Sequence, residues 1–142
     1  MKAVFIEQPG AVDALRYADF PTPKPAPGEI LVKIAYSGVN FIDTYHRSGL
    51  YKLPLPAVIG SEASGKVDQL GEGVTQFKVG DRVVYTLARG SYAEYHAVPA
   101  THADTIPDNV SDATPAPCIL QDAPAHCLPH STFPTQRAQT PD

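Results

Sequence analysis

SGVNFIDTYHRSGLYKLPLPAVIGSEASGKV, residues Ser37–Val67, is the stretch whose reading decides the fold. It leaves the end of a strand pattern, crosses a short polar-aromatic segment, runs through Pro54 and Pro56, and re-enters a strand at Gly60-Ser61-Glu62. Connections of this kind, held out by a rigid sheet, are where binding chemistry concentrates. Asn40, Asp43, Thr44, Tyr45, His46 and Arg47 all fall inside it. The plain structural alternative is a surface connection whose Tyr and Ile cap a core.

Outward from that stretch the pattern is one of short strands. Glu29 to Gly38 alternates, with Ile30, Val32 and Ile34 on one face and Leu31, Lys33 and Ala35 on the other. Before it, Pro21 to Gly28 is too rich in proline to pair as a central strand, and Lys2–Glu7 and Leu15–Phe20 read as two further strands. After it come Glu62–Leu70, a turn at Gly71-Glu72-Gly73, a second turn at Gly80-Asp81, and a strand over Arg82–Thr86. Ser91–Val98 alternates again, and Thr105-Ile106 reads as a last short strand. Short strands separated by Gly/Pro turns point to an all-β barrel or sandwich and away from a βαβ fold.

Size and composition bound the function. A chain of 142 residues is one ordinary domain, large enough for a core but small for a two-domain enzyme. A net charge of −4 without a basic run argues against nucleic-acid binding. No apolar run approaches the roughly 18 residues of a membrane span, and Met1–Ile6 is cut short by Glu7, too early for a signal peptide. Two late cysteines make no disulfide framework. A soluble cytoplasmic protein is expected.

The end of the chain changes character. Ser111 is placed to cap a helix, with Asp112 in its first turn and Ala113, Ile119 and Leu120 following. Pro115, Pro117, Pro124 and Pro129 interrupt it, and an interior proline costs a helix about 3 kcal/mol, so one or two broken turns are expected. Cys118, His126, Cys127 and His130 have metal-ligating chemistry at a spacing that matches no ligand set.

The spelling Asn40-Phe41-Ile42-Asp43-Thr44-Tyr45-x-Arg47-Ser48-Gly49-Leu50-Tyr51, followed by Gly60-Ser61-Glu62 and Gly80-Asp81-Arg82-Val83, closely resembles the zinc-free quinone oxidoreductases (zeta-crystallin type) of the medium-chain dehydrogenase/reductase superfamily. The resemblance covers about Met1 to Thr114. It implies a mainly β, GroES-like, partly open β-barrel with short helical segments over residues 1–113. Residues 114–142 would then be a proline-rich irregular tail, the remnant of a helix leading to a nucleotide-binding domain. That Rossmann domain would be absent, because no glycine follows Gly90 and the chain ends near where its first strand should begin.

The function that the resemblance implies is NADPH-dependent hydride transfer to a small quinone or enone. No protein nucleophile takes part, so no catalytic residue is assigned. Asn40, Ile42, Asp43 and Tyr45 would line the nicotinamide end, with Asn40 and Tyr45 positioning substrate and ring. Read on its own chemistry, Asp43 could equally be a local capping acid and Tyr45 a core aromatic. His46 departs from the family, which usually has an apolar residue there, and Pro124 stands where the family has a threonine. Zinc is not expected, because Asn40 and Ser61 occupy the positions of the cysteine and histidine ligands of zinc-dependent relatives, and amide and hydroxyl are poor zinc donors. A catalytic domain truncated in this way should be inactive alone, and its cleft face, including Phe41, Ile42 and Tyr45, should favour self-association. Two other readings stay open: a non-catalytic GroES-like module that binds a small molecule or partner, and a vestigial product.

Overall fold

The computed structural model describes residues 1–111 and 113. Eight strands and one α-helix follow in order: β1 (Lys2–Ile6), β2 (Arg16–Asp19), β3 (Glu29–Ser37), α1 (Phe41–Ser48), β4 (Ala57–Val58), β5 (Glu62–Leu70), β6 (Arg82–Thr86), β7 (Tyr95–Pro99) and β8 (Ala103–Thr105). One-turn 3-10 helices occupy Val12–Ala14 and Ala100–His102. The fold is mainly β, as the short-strand pattern requires. Its strands form a three-stranded sheet in the order β2-β1-β4 and a five-stranded sheet in the order β7-β3-β5-β6-β8. The two sheets do not close into one barrel.

The five-stranded sheet carries the core. Ile30, Val32, Ala63, Val67, Val83, Tyr85 and Val98 are buried on one side with Phe77, Ala88, Ala100 and Ala103, and Ile34, Leu70 and Val74 pack against them. The face of β3 that carries Ile30, Val32 and Ile34 is therefore the one against this core, and Leu31 on the opposite face is buried as well. Its partner β5 pairs antiparallel, Ile30 opposite Leu70 and Ile34 opposite Gly65, with irregularities after Leu31 and Ile34. Gly65 is obligatory at this contact: a Cβ there would stand 2.2 Å from the Lys33 carbonyl oxygen.

Two sequence-based expectations change. The strand expected from Ser91 starts only at Tyr95. Residues 92–94 bond to the other sheet: the Val4 N–H donates to the Tyr92 carbonyl at 2.7 Å, the Glu94 N–H to the Lys2 carbonyl at 3.1 Å, and Ala3 bridges Ala93, while the Glu94 carbonyl still accepts the Ile34 N–H of β3. Backbone polar groups at a sheet junction need partners, and here β1 supplies them. The second change is the polar-aromatic segment after β3, which is a helix. The proline-rich 114–142 segment, the helix start at Asp112, and the cluster Cys118, His126, Cys127 and His130 lie outside the described residues.

Candidate functional site

Helix α1 forms because its ends are written into the sequence. Asn40 stands at the N-cap in extended conformation (φ −122°, ψ 152°), Asp43 occupies the third helical position in a capping box, and Gly49 ends the helix at φ 80°. A short acid at that position satisfies an N–H that the first turn leaves without a partner. His46 and Arg47 stand in the last turn, where positive charge suits the helix dipole. The capping reading of Asp43 is therefore the observed one: its Oδ2 accepts the Asn40 N–H at 2.9 Å.

The same carboxylate does more. Its Oδ2 also accepts the Tyr92 hydroxyl at 2.7 Å, and its Oδ1 accepts the Ser61 hydroxyl at 3.4 Å. Asn40 in turn donates through Nδ2 to Glu62 Oε2 at 3.0 Å. Asp43 is 5% exposed, Asn40 7% and Glu62 0%. Around this cluster the backbone is knotted: Gly38 N–H to the Glu62 carbonyl, Gly90 N–H to the Gly60 carbonyl, and Tyr92 N–H to the Ile59 carbonyl, all at 2.9–3.0 Å. The Ser91 side chain accepts the Glu62 N–H, and Ser37 donates to the Ser91 carbonyl. Buried polar groups are costly unless paired, and this cluster pairs them with one another.

The other side of α1 is aromatic and open. Residues four apart share a helix face, and Phe41 meets Tyr45 edge-on at 5.3 Å between ring centroids; Tyr45 meets Tyr51 at 5.5 Å. Phe41 is 74% exposed and Tyr51 half exposed, with Val39 and Leu50 also exposed nearby. Of the four residues expected at the nicotinamide end, the structure joins Asn40 and Asp43 in the buried network. Tyr45 stands on the aromatic rim, and Ile42 is partly buried.

Burial displaces four titrating groups, His46, Tyr92, His96 and the Tyr85 phenol, which it pushes up. His46 is held below its ordinary range by burial and by the nearby Arg89 charge, with Asp43 opposing. Its Nδ1 has no hydrogen-bond partner among the described residues. The Tyr92 phenol is pushed above its usual range by burial and by its bond to Asp43. His96, Nδ1 3.0 Å from the Tyr85 hydroxyl, is lowered to about 4, chiefly by burial. Among the described residues no group of three or more His, Cys, Asp or Glu is arranged to hold a metal, and no helix is long and apolar enough to cross a membrane.

Tyr92 is the residue that sequence reasoning missed. It looked like one member of an alternating strand, and only its long-range contact reveals it.

The comparisons with known proteins agree with this architecture. The alcohol dehydrogenase GroES-like domain family matches residues 26–108, more than half of the chain, and the chain belongs to that family. It is 38% identical over 138 residues to a probable quinone oxidoreductase of Schizosaccharomyces pombe, an alignment covering 96% of this chain and 42% of that protein. It is 40% identical over 126 residues to quinone oxidoreductase 1 of Escherichia coli, covering 87% of this chain and 38% of that one. Among solved structures, a mycobacterial quinone oxidoreductase aligns with a TM-score of 0.91 at 44% identity, over 97% of this chain and 43% of its own. The Escherichia coli quinone oxidoreductase complexed with NADPH aligns at 0.90 and 36% identity, over 96% and 42%. The chain thus spans about two fifths of the length of the curated relatives it matches.

Proposed function

We propose that this chain is the domain of an NADPH-dependent quinone oxidoreductase that faces the substrate and the nicotinamide ring. The observation that carries the reading is the likeness to quinone oxidoreductases over nearly the whole chain, at 38–44% identity. The unit taken as the domain is residues 1–113. β1 and β2 precede the family match but belong to it, because β1 pairs with β4 and bonds to residues 92–94.

The residues fit one end of NADPH and not the other. Tyr45, flanked by Phe41 and Tyr51, offers flat apolar surface of the kind a planar ring stacks against, and Ile42 adjoins it. Asn40 and Asp43 belong to the same site by holding that helix rather than by exposed contact. A pyrophosphate finds no cradle among the described residues. The N-terminus of α1, the kind of place where phosphate binds, is closed by the protein's own Asp43 and flanked by Glu62. When bound, NADPH supplies the hydride that, with one proton, converts a quinone into a hydroquinone. The protein's share at this end is to orient the ring and shield it from water. No zinc is invoked, because Asn40 offers an amide and Ser61 a hydroxyl. The proposed location is the cytoplasm.

These 142 residues alone should hold NADPH no more tightly than about millimolar and should not turn over, since contacts to one end of a dinucleotide do little more than offset the rigid-body freedom lost on binding, about 4 kcal/mol at the low end. The test has two arms. The isolated chain is titrated with NADPH and followed for its oxidation by a fully substituted benzoquinone. The chain is also exchanged for the matching segment of the Escherichia coli enzyme. The expected result is no turnover alone and quinone reduction in the chimera, reduced by Tyr45→Ala. A folded chimera that reduces neither quinone nor enone refutes the reading.

A further inference from the structure

We propose that Tyr92 is a positioning residue for the nicotinamide end: through Asp43 it fixes the first turn of α1 and so aims the Tyr45 ring. The inference rests on the reading of the cofactor end given above and adds a residue that lies 47 positions away from Tyr45 in the chain.

Tyr92 is built to be rigid. Its backbone stands where the two sheets are laced, its carbonyl accepting from Val4 and its N–H donating to Ile59. Its ring packs against Gly60, so close that a Cβ at Gly60 would meet Tyr92 Cδ1 at 2.4 Å. Gly60 also takes a left-handed φ of 88°, open to glycine at little cost. From this slot the hydroxyl reaches Asp43 Oδ2 at 2.7 Å, a short hydrogen bond to a carboxylate and among the stronger kinds.

Asp43 cannot do this alone. Its one local contact, the Asn40 N–H, lies within the same helical turn and moves with it. The Ser61 hydroxyl contact is long at 3.4 Å. Tyr92 is therefore the short link from the sheet junction to Asp43, and it works beside the Asn40 amide, which ties the N-cap to Glu62 of β5 at 3.0 Å. The far end of the helix is tied by backbone alone, with the Gly10 N–H donating to the Arg47 carbonyl and the Tyr51 N–H to the Tyr45 carbonyl. With Tyr92 in place both ends are held, and Tyr45 has one orientation between Phe41 and Tyr51. Without the hydroxyl the capping carboxylate keeps only the long Ser61 contact to the sheets, and the first turn is left to pivot on the Asn40–Glu62 bond.

The test uses the 142-residue chain, its Tyr92→Phe variant and, as a control, Val98→Ala. The control empties part of the core without touching the network. Two measurements separate positioning from mere stability. The first, without ligand, is the ring-current displacement of the Tyr45 aromatic protons by Phe41 and Tyr51. The second is the affinity for reduced nicotinamide mononucleotide, the nicotinamide half of the cofactor, read from resonance shifts at Tyr45. Tyr92→Phe is expected to collapse the ring-current displacement and weaken the mononucleotide at least about fivefold, while Val98→Ala, though less stable, leaves both as in the parent chain. A Tyr92→Phe chain that keeps both signals, or a Val98→Ala chain that loses them equally, overturns the proposal. A parent chain that ignores the mononucleotide while Tyr92→Phe still disorders Tyr45 refutes the cofactor reading and with it the purpose assigned here. It leaves Tyr92 as a structural clasp.

Discussion

His96 makes the stability of this domain depend on pH in a way that can be calculated. The imidazole of β7 is half-buried, with Nδ1 against the Tyr85 hydroxyl, and its pKa falls to about 4 in the folded chain from 6.5 when exposed. The unfolded chain therefore takes up a proton at a pH where the folded chain does not. Stability is complete above about pH 6.5 and is lost as the pH falls toward 4, below which both states are protonated. Between pH 7 and pH 5.5 the difference amounts to about 1.2 kcal/mol. Urea unfolding followed by circular dichroism at the two pH values should show the midpoint falling by roughly half a molar to one molar. His96→Gln keeps an acceptor for the Tyr85 hydroxyl and cannot titrate, so its midpoint should move much less. His46, also held low by burial and Arg89, contributes in the same direction in both proteins and cancels in the comparison. Equal pH dependence in the two proteins would refute the assignment.

Leu87 holds a left-handed backbone (φ 63°) with its side chain 72% exposed, so Leu87→Gly should relieve about 1 kcal/mol of strain and raise the thermal midpoint by a few degrees, read by calorimetry. Gly65→Ala should do the opposite, costing about 2–3 kcal/mol because its methyl would collide with the Lys33 backbone rather than with a yielding side chain; denaturant unfolding checks it. Elemental analysis of the purified chain should find no stoichiometric zinc, as expected of an amide and a hydroxyl where thiolate and imidazole would be needed. Val39, Phe41, Leu50 and Tyr51 together expose an apolar face, and light scattering should show concentration-dependent association that Phe41→Ser weakens.

Much of this fold was legible because the signals were local. The alternation Ile30, Val32, Ile34 and the boundaries of β5 and β6 follow from side-chain period and from turns at Gly71–Gly73 and Gly80-Asp81. Helix α1 is too short for an apolar period to mark it, although its punctuation is present: Asn40 and Asp43 three apart, and Gly49 after the basic last turn. Eight residues of mixed Phe, Thr, Tyr and His have weak helix propensity, so the caps carry the element and the period does not. The start of β7 is hidden for a different reason. Tyr92, Glu94 and His96 alternate as a strand should, but residues 92–94 bond to β1, nearly ninety positions earlier, and no local pattern encodes that choice.

The site divides along the same line. Its polar half is legible as residue types but not as roles, because Asn40, Asp43, Ser61 and Glu62 are occupied by one another and by Tyr92, a partner found only in three dimensions. Its aromatic half, Phe41, Tyr45 and Tyr51, is held out by that buried network. The division has an electrostatic consequence. Asp43 already answers the positive end of α1, and Glu62 adds a second carboxylate beside it. A phosphate brought to this helix would meet neutralised dipole and acidic side chains, whereas an uncharged nicotinamide ring would meet tyrosine and phenylalanine. If the domain meets NADPH as proposed, the same capping that makes the helix possible selects which end of the dinucleotide it receives.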